Sequence, residues 1–223
     1  MEVLPRQMRV VCHDPTFQER DARESFRSRH PNCECLESAE PGSLFDELKT
    51  RGVQIDALVS NDAYPITPAP IGEIAVADLR NTFESVLVFP AQLTQLLLPE
   101  MKARRSGSFV FITSARPLRP ESGFAVPTSI RAAATAFALA LSREVASFGI
   151  QVNVVAPNYL YSEMYYPRAR FIDDPRGREH IAAIVPMGRL GTPEEIGELI
   201  AFLVSERSTF LTSQVIYFTG GWP

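Results

Sequence analysis

The sequence predicts a three-layer α/β fold, in which helices cover both faces of a parallel sheet. Three observations indicate it: strand-length apolar runs alternate with longer stretches of helical spacing, the runs are almost continuously apolar, and the composition suits a large core. The chain has 223 residues, of which 45% are hydrophobic. A chain of this length can bury one sizeable core. Residues 1–223 are therefore expected to form one domain.

Each predicted strand is a short apolar run bounded by polar or turn-forming residues. The strands are expected at residues 8–13 (MRVVCH), 33–38 (CECLES, the weakest), 55–60 (IDALVS), 109–113 (FVFIT), 151–156 (QVNVVA) and 215–219 (VIYFT).

The predicted helices carry apolar residues at helical spacing. They are expected at residues 16–30, 41–52, 73–107, 127–149 and 192–205. Pro90 predicts a kink in the longest of them, because proline lacks the N–H that the helix uses. Thr192 is the expected N-cap of the last helix, with Glu195 completing a capping box.

Composition and charge argue against several classes of protein. A net charge of −4 gives no basic footprint for nucleic acid, and no apolar run reaches the roughly 20 residues of a membrane helix. The N-terminus lacks the pattern of a secretory signal, and three cysteines suit a reducing compartment, so a cytoplasmic protein is expected. Cys33 and Cys35, with histidines nearby, do not have zinc spacing, so no metal site is expected.

Three polar segments follow predicted strands, where ligands bind in open α/β sheets. They are NDAYP after residue 60, SARPLRP after residue 113 and PNYLYSEM after residue 156. We expect them to lie at one edge of the sheet and to form the site.

These segments carry a resemblance that extends over residues 8–223. IDALVSNDA, GSFVFITSA, IQVNVVAPNYL and PMGRLGTPEEIGELIAFLVSE resemble the short-chain dehydrogenase/reductase superfamily. Within it, PNYL and Arg131 are similar to the halohydrin dehalogenases, which lack a nicotinamide pocket. The resemblance implies a Rossmann-like fold and a homodimer or homotetramer. It also implies a carbon–halogen lyase that needs no cofactor and interconverts vicinal haloalcohols and epoxides plus halide.

The resemblance also implies roles for particular residues. Ser114 would hold the substrate oxygen and Arg131 would supply positive charge. The halide would lie against Pro157, Asn158, Tyr159 and Leu160, with Tyr166 nearby in the pocket.

The sequence departs from the family pattern at two places. Pro127 stands 13 residues after Ser114 and four before Arg131, where a catalytic tyrosine is expected, so the general base is missing. The glycine-rich turn that cradles a dinucleotide phosphate does not occur in the sequence, and the usual first strand is missing with it. The sequence leaves open whether the sheet is rearranged, whether the chain is truncated or remodelled, and whether Met1 is the true start.

Several alternatives remain at this stage. A tyrosine could replace the base, and the candidates are Tyr64, Tyr159, Tyr161, Tyr165 and Tyr166, with Tyr159 and Tyr161 nearest in sequence. Arg116 and Arg119 belong either to a solvated loop or to an anion site. The rival functions are a catalytically degenerate binding or assembly protein and an NAD(P)-dependent oxidoreductase.

Overall fold

A computed structural model describes residues 8–223, and strands alternate with helices along the chain as predicted. The first seven residues of the expected domain lie outside the described residues. The strands are β1 (Val10–Cys12), β2 (Cys33–Cys35), β3 (Ala57–Ser60), β4 (Gly107–Ile112), β5 (Ile150–Pro157) and β6 (Val215–Phe218). The helices are α1 (Arg20–Arg29), α2 (Pro41–Thr50), α3 (Val76–Phe83), α4 (Phe89–Arg104), α5 (Ala125–Val145), α6 (Pro175–Ile184) and α7 (Pro193–Val204).

Four of the strands form a parallel sheet in the order β3-β4-β5-β6. β4 is buried along its whole length, and β5 is buried except at its last residue. On one face Phe109 and Val152 pack with Met101 of α4 and Leu141 of α5. On the other face the sheet packs against α7. The three-layer α/β fold is therefore confirmed.

β1 and β2 form a separate two-stranded parallel sheet. Within residues 8–223, β1 is paired with β2 alone and β3 with β4 alone. β1 and β3 do not pair with each other in that part of the chain, so an opening remains between the two sheets.

The stretch predicted as one kinked helix over residues 73–107 is divided. Between α3 and α4 the backbone makes a π-helical segment, Glu84–Val88. Pro90 is the second residue after it and lies in the first turn of α4. Because proline has no N–H to donate to the preceding turn, the wider π turn replaces the α-helical bonds there.

Helix α6 was missed by the sequence analysis. Its start is marked by Asp174, whose carboxylate accepts the N–H of Arg176 at 3.0 Å, and by Pro175 in the first turn. An N-cap residue followed by proline is a recognised start signal. It was overlooked because few apolar residues follow it at helical spacing.

The sequence holds no unbroken apolar run of membrane-spanning length, but one helical stretch within residues 8–223 is long and apolar enough by its mean hydropathy. The helical stretch Ala125–Phe148 has 24 residues and a mean hydropathy of 1.3 in its most apolar window. Ile130, Ala134, Ala138 and Val145 are nevertheless buried within the domain. A core helix of a soluble domain passes the same test.

Candidate active site

The polar segments after β3, β4 and β5 meet at one edge of the sheet, as the parallel topology requires. They contribute Asp62, Ser114 and Asn158 to one large cavity of about 2290 Å³. Arg131 of α5 lines the same cavity. The structure therefore brings together the residues that the sequence analysis selected, and it adds Asp62.

Arg131 ties two strand ends together. Its Nη1 donates to the carbonyl of Ile112 at 2.7 Å, and its Nη2 donates to the carbonyl of Asp62 at 2.8 Å. The guanidinium fork can satisfy two carbonyls at once, which a single ammonium group does less well. Burial lowers the pKa of Arg131, and the charges of Tyr165 and Asp62 oppose that effect. Arg131 is thus both a structural clamp and a source of positive charge in the cavity.

Ser114 lies just beyond β4, where its hydroxyl shapes a tight turn. Its Oγ accepts the backbone N–H of Arg116 at 3.1 Å. Within residues 8–223 the hydroxyl makes its hydrogen bond to this backbone N–H. The Ser114 O–H can therefore donate to a ligand oxygen, but within the described residues it has no hydrogen bond to an ionisable side chain.

Pro127 is the third residue of α5 and faces the cavity. It lies one helical turn before Arg131, so the two side chains share a face of the helix. The next residue, Thr128, also lines the cavity, and its buried Oγ1 has no hydrogen-bond partner among residues 8–223. A hydroxyl is therefore present next to the position of the missing base, although its ordinary acidity does not suit that role.

The loop after β5 holds an amide with an unused donor. Asn158 is only 8% exposed, and its Oδ1 accepts the N–H of Tyr159 at 3.0 Å and the hydroxyl of Tyr166 at 3.2 Å. Its Nδ2 has no hydrogen-bond partner within the described part of the chain. A buried N–H without an acceptor costs about 1–3 kcal/mol, which a bound anion would recover.

Tyr159 is fixed in a backbone conformation that non-glycine residues rarely adopt. Its φ is 52°, in the left-handed region. Its ring packs against Tyr166, with centroids 5.5 Å apart, and against Trp222, at 5.6 Å. A bulky residue in this region persists only where its surroundings determine it, so the aromatic cluster fixes the loop around Asn158.

The tyrosines named as substitute bases differ in their surroundings. Burial raises the pKa of Tyr159 and raises that of Tyr166 to about 12. The hydrogen bond from Tyr161 to Glu163 raises the pKa of Tyr161. Each of these effects disfavours the phenolate. Tyr165, which lines the cavity and interacts electrostatically with Arg131, is better placed than the two that the sequence favoured.

Asp62 was not selected by the sequence analysis, although it lies in the segment NDAYP that follows β3. Ser60 Oγ donates to Asp62 Oδ2 at 2.7 Å, and burial raises the pKa of the carboxyl above the usual 3.8. His13 and Arg131 act in the opposite direction. Its position two residues beyond β3 is the signal that could have identified it.

The Asp62→Asn variant is expected to be more stable than the unmodified protein at neutral pH. The folded state binds a proton at Asp62 more readily than the unfolded chain does, so Asp62 lowers the free energy of unfolding once it ionises. This penalty vanishes as the pH falls from the raised pKa toward 3.8. Urea unfolding between about pH 4 and pH 8 should show that the difference in unfolding free energy between Asp62→Asn and the unmodified protein shrinks as the pH falls. Asp46→Asn, on the exposed face of α2, is the control and should show a smaller, flatter difference.

The comparisons with known proteins agree with the fold. A family model described as enoyl-(acyl carrier protein) reductase matches residues 9–223. The chain belongs to the short-chain dehydrogenase/reductase superfamily. One curated member, an uncharacterized oxidoreductase of Bacillus subtilis, is 33% identical over 198 residues, which are 86% of this chain and 77% of the relative. A 3-oxoacyl-[acyl-carrier-protein] reductase of Escherichia coli is 30% identical over 179 residues, covering 80% and 71%.

Two solved structures of this superfamily confirm the resemblance to halohydrin dehalogenases. One is a halohydrin dehalogenase bound to ethyl (2S)-oxiran-2-ylacetate, with a TM-score of 0.91 and 35% identity, covering 96% of this chain and 87% of the other. The second, titled a dehalogenation enzyme, has a TM-score of 0.89 and 39% identity, covering 96% and 88%. The curated relatives above are named as oxidoreductases, so the comparisons establish the superfamily and leave the reaction to be tested.

Proposed function

We propose that the cavity is the site of a halohydrin dehalogenase-type carbon–halogen lyase, which interconverts vicinal haloalcohols and epoxides plus halide. The observation that carries the proposal is the meeting of Ser114, Arg131 and the loop Pro157–Leu160 in one cavity. The likeness to two dehalogenase structures supports it.

In the proposed reaction the substrate hydroxyl gives its proton to solvent water, and its oxygen attacks the neighbouring carbon. The new C–O bond closes the epoxide, and the C–halogen bond breaks with its electron pair on the departing halide. Ser114 would hold the oxygen by donating its O–H, and Arg131 would stabilise the developing negative charge. The halide would enter the loop next to the unused N–H of Asn158.

Proton removal is the weak step of this mechanism. Pro127 carries no ionisable group, and the pKa values of Tyr159 and Tyr166 are raised, so these phenols do not compensate for it. A missing general base lowers the rate by about 10²–10⁴-fold. The unmodified protein is therefore proposed to turn over slowly and to bind halide normally.

Bromide binding tests the halide end of the site without requiring turnover. Trp222 is the only tryptophan of the chain, and it packs against Tyr159 of the halide loop. Its fluorescence should change saturably with bromide, and Asn158→Ala should weaken the apparent affinity by about tenfold, the equivalent of one net hydrogen bond. Asn81→Ala removes an exposed amide of α3 and is the control that should leave the titration unchanged. An apparent bromide affinity of Asn158→Ala equal to that of the unmodified protein would contradict the assignment of the halide site to Asn158.

A second candidate function is binding without turnover. It is favoured by Pro127 and by the fact that Ser114 Oγ bonds to a backbone N–H rather than to an ionisable side chain. Bromide binding together with complete absence of halide release from haloalcohols would support it. An NAD(P)-dependent oxidoreductase, suggested by the names of the curated relatives, instead requires saturable binding of NADH or NADPH.

Self-association is proposed as well. Val76, Leu79 and Phe83 are exposed apolar residues that recur at helical spacing on α3. Such a stripe favours burial against a second copy. A homodimer or homotetramer and a small-molecule haloalcohol or epoxide are therefore the partners that we propose.

A further inference from the structure

Arg116 belongs to the candidate active site, but the proposed mechanism gives it no role. It lies two residues after Ser114, and its backbone N–H donates to Ser114 Oγ at 3.1 Å. It lines the same cavity as Ser114 and Arg131. A second arginine therefore stands beside the hydroxyl that would hold the substrate oxygen.

An aromatic ring fixes the guanidinium of Arg116. Its Cζ lies 3.8 Å from the centroid of the Phe124 ring, which is a close cation–π contact. Phe124 also lines the cavity, and both residues are partly buried. A guanidinium that stacks on a ring through its flat face keeps its in-plane N–H groups available for hydrogen bonds. The ring can therefore orient Arg116 without using its donors.

The charge of Arg116 is not neutralised by an acidic side chain within residues 8–223. The ion pairs of that part of the chain all involve other basic residues. Glu121 of the same loop lines the cavity, but it is exposed and forms none of those ion pairs. The guanidinium instead acts on the phenol of Tyr166, where burial raises the pKa to about 12 and the positive charge of Arg116 opposes that effect.

The other polar groups of the site already have assigned tasks. The terminal nitrogens of Arg131 donate to the carbonyls of Ile112 and Asp62. The unused N–H of Asn158 faces the halide in the proposed reaction. Arg116 is thus a cation of the cavity with donors left for a second anionic group, separate from the halide and from the substrate oxygen.

We propose that Arg116 binds a carboxylate of the substrate, so that the site takes vicinal haloalcohols and epoxides that carry a short acid chain on the oxygen-bearing carbon. The planar fork of an arginine matches the two oxygens of a carboxylate. An uncharged chain of the same size offers the fork no negative charge and should bind more weakly. The inference rests on the proposed function for the haloalcohol part of the substrate.

Two ligands without a halogen test the carboxylate site without requiring turnover. They are 3-hydroxybutanoate and 3-hydroxybutanamide, which have the same size and differ in charge. Titrations followed by protein NMR give both affinities, in a buffer of about 50 mM ionic strength that contains no carboxylate or phosphate, because salt screens exposed charges. The acid is expected to bind about tenfold more tightly than the amide, or better.

A matched pair of arginine variants locates the binding of the acid. Arg116→Gln should lower the affinity for 3-hydroxybutanoate to that for the amide and leave the affinity for the amide within about twofold. Arg119→Gln removes the same charge from an exposed residue of the loop that is outside the cavity lining in the described structure, and it should change the acid affinity by less than about twofold.

A third variant changes the charge of the loop in the opposite direction. Glu121 lines the cavity, so its carboxylate repels an acid bound at Arg116. Glu121→Gln should therefore strengthen the binding of 3-hydroxybutanoate by about two- to threefold and leave that of the amide unchanged.

Three outcomes would overturn the proposal. One is that the unmodified protein binds the acid no more tightly than the amide, a comparison that does not depend on any variant. Another is an equal loss of acid affinity in Arg116→Gln and Arg119→Gln, which would show a general effect of charge. The last is competition between 3-hydroxybutanoate and bromide, which would place the carboxylate in the halide pocket.

The experiment separates this inference from the proposed function. Normal bromide binding without a preference for the acid would remove the carboxylate site alone. A preference for the acid without bromide binding would keep Arg116 as a carboxylate site and contradict the dehalogenase.

Discussion

The Pro127→Tyr variant is expected to release halide from an aromatic vicinal haloalcohol about 10²–10⁴ times faster than the unmodified protein. The new phenol would lie one helical turn before Arg131, on the helix face that lines the cavity. A nearby cation lowers the pKa of a phenol from about 10 and favours the phenolate that accepts the proton. Ser114, on the facing loop, would hold the same substrate oxygen.

The substitution should change the structure little. Pro127 occupies the first turn of α5, where backbone N–H groups have no partner within the helix, so restoring one N–H creates no clash with the helical bonding pattern. Pro127→Phe introduces the same ring without the hydroxyl and is the control that should lack the gain. Equal gains in both variants would show that the ring, rather than the proton acceptor, is responsible.

The Arg131→Met variant is expected to lose about 2–4 kcal/mol of unfolding free energy. Methionine keeps an apolar stem, but it leaves the carbonyls of Ile112 and Asp62 without the two donors that now bind them. It also removes the cation that favours the ionised form of Asp62. Urea unfolding at neutral pH provides the measurement.

Two further variants distinguish the loss of the two Arg131 hydrogen bonds from the loss of a positive charge. Arg143→Met removes an exposed arginine from the end of the same helix and should cost less than about 0.5 kcal/mol. The loss of unfolding free energy in Arg131→Lys should lie between those of Arg131→Met and Arg143→Met, because an ammonium group does not reproduce the planar guanidinium fork. An Arg131→Met protein as stable as Arg143→Met would show that the two hydrogen bonds do not brace the strand ends.

The sequence was sufficient to predict the central strands and the edge of the sheet where the site lies. β4 and β5 are almost continuously apolar because helices cover both of their faces. Residues that follow parallel strands must share one edge, so the meeting of Ser114 with Asn158 followed from topology alone.

Other features depend on tertiary contacts that no local pattern encodes. Whether Asp62 is buried depends on what surrounds the end of β3, and the unused donor of Asn158 depends on how Tyr159 and Tyr166 pack around it. The sequence also left the arrangement of the sheet open, and in the described residues β1 and β3 lie in separate sheets.

The most direct test of the central claim is the rate of halide release by Pro127→Tyr with and without the additional change Ser114→Ala. If Ser114, position 127 and Arg131 form one active site, removing the Ser114 hydroxyl should abolish most of the gain, lowering the rate by about 10²-fold or more. Bromide binding, which depends on the Asn158 loop, should survive in both proteins. An unchanged rate of halide release in the double variant would contradict the account, because it would show that the chemistry does not use this serine.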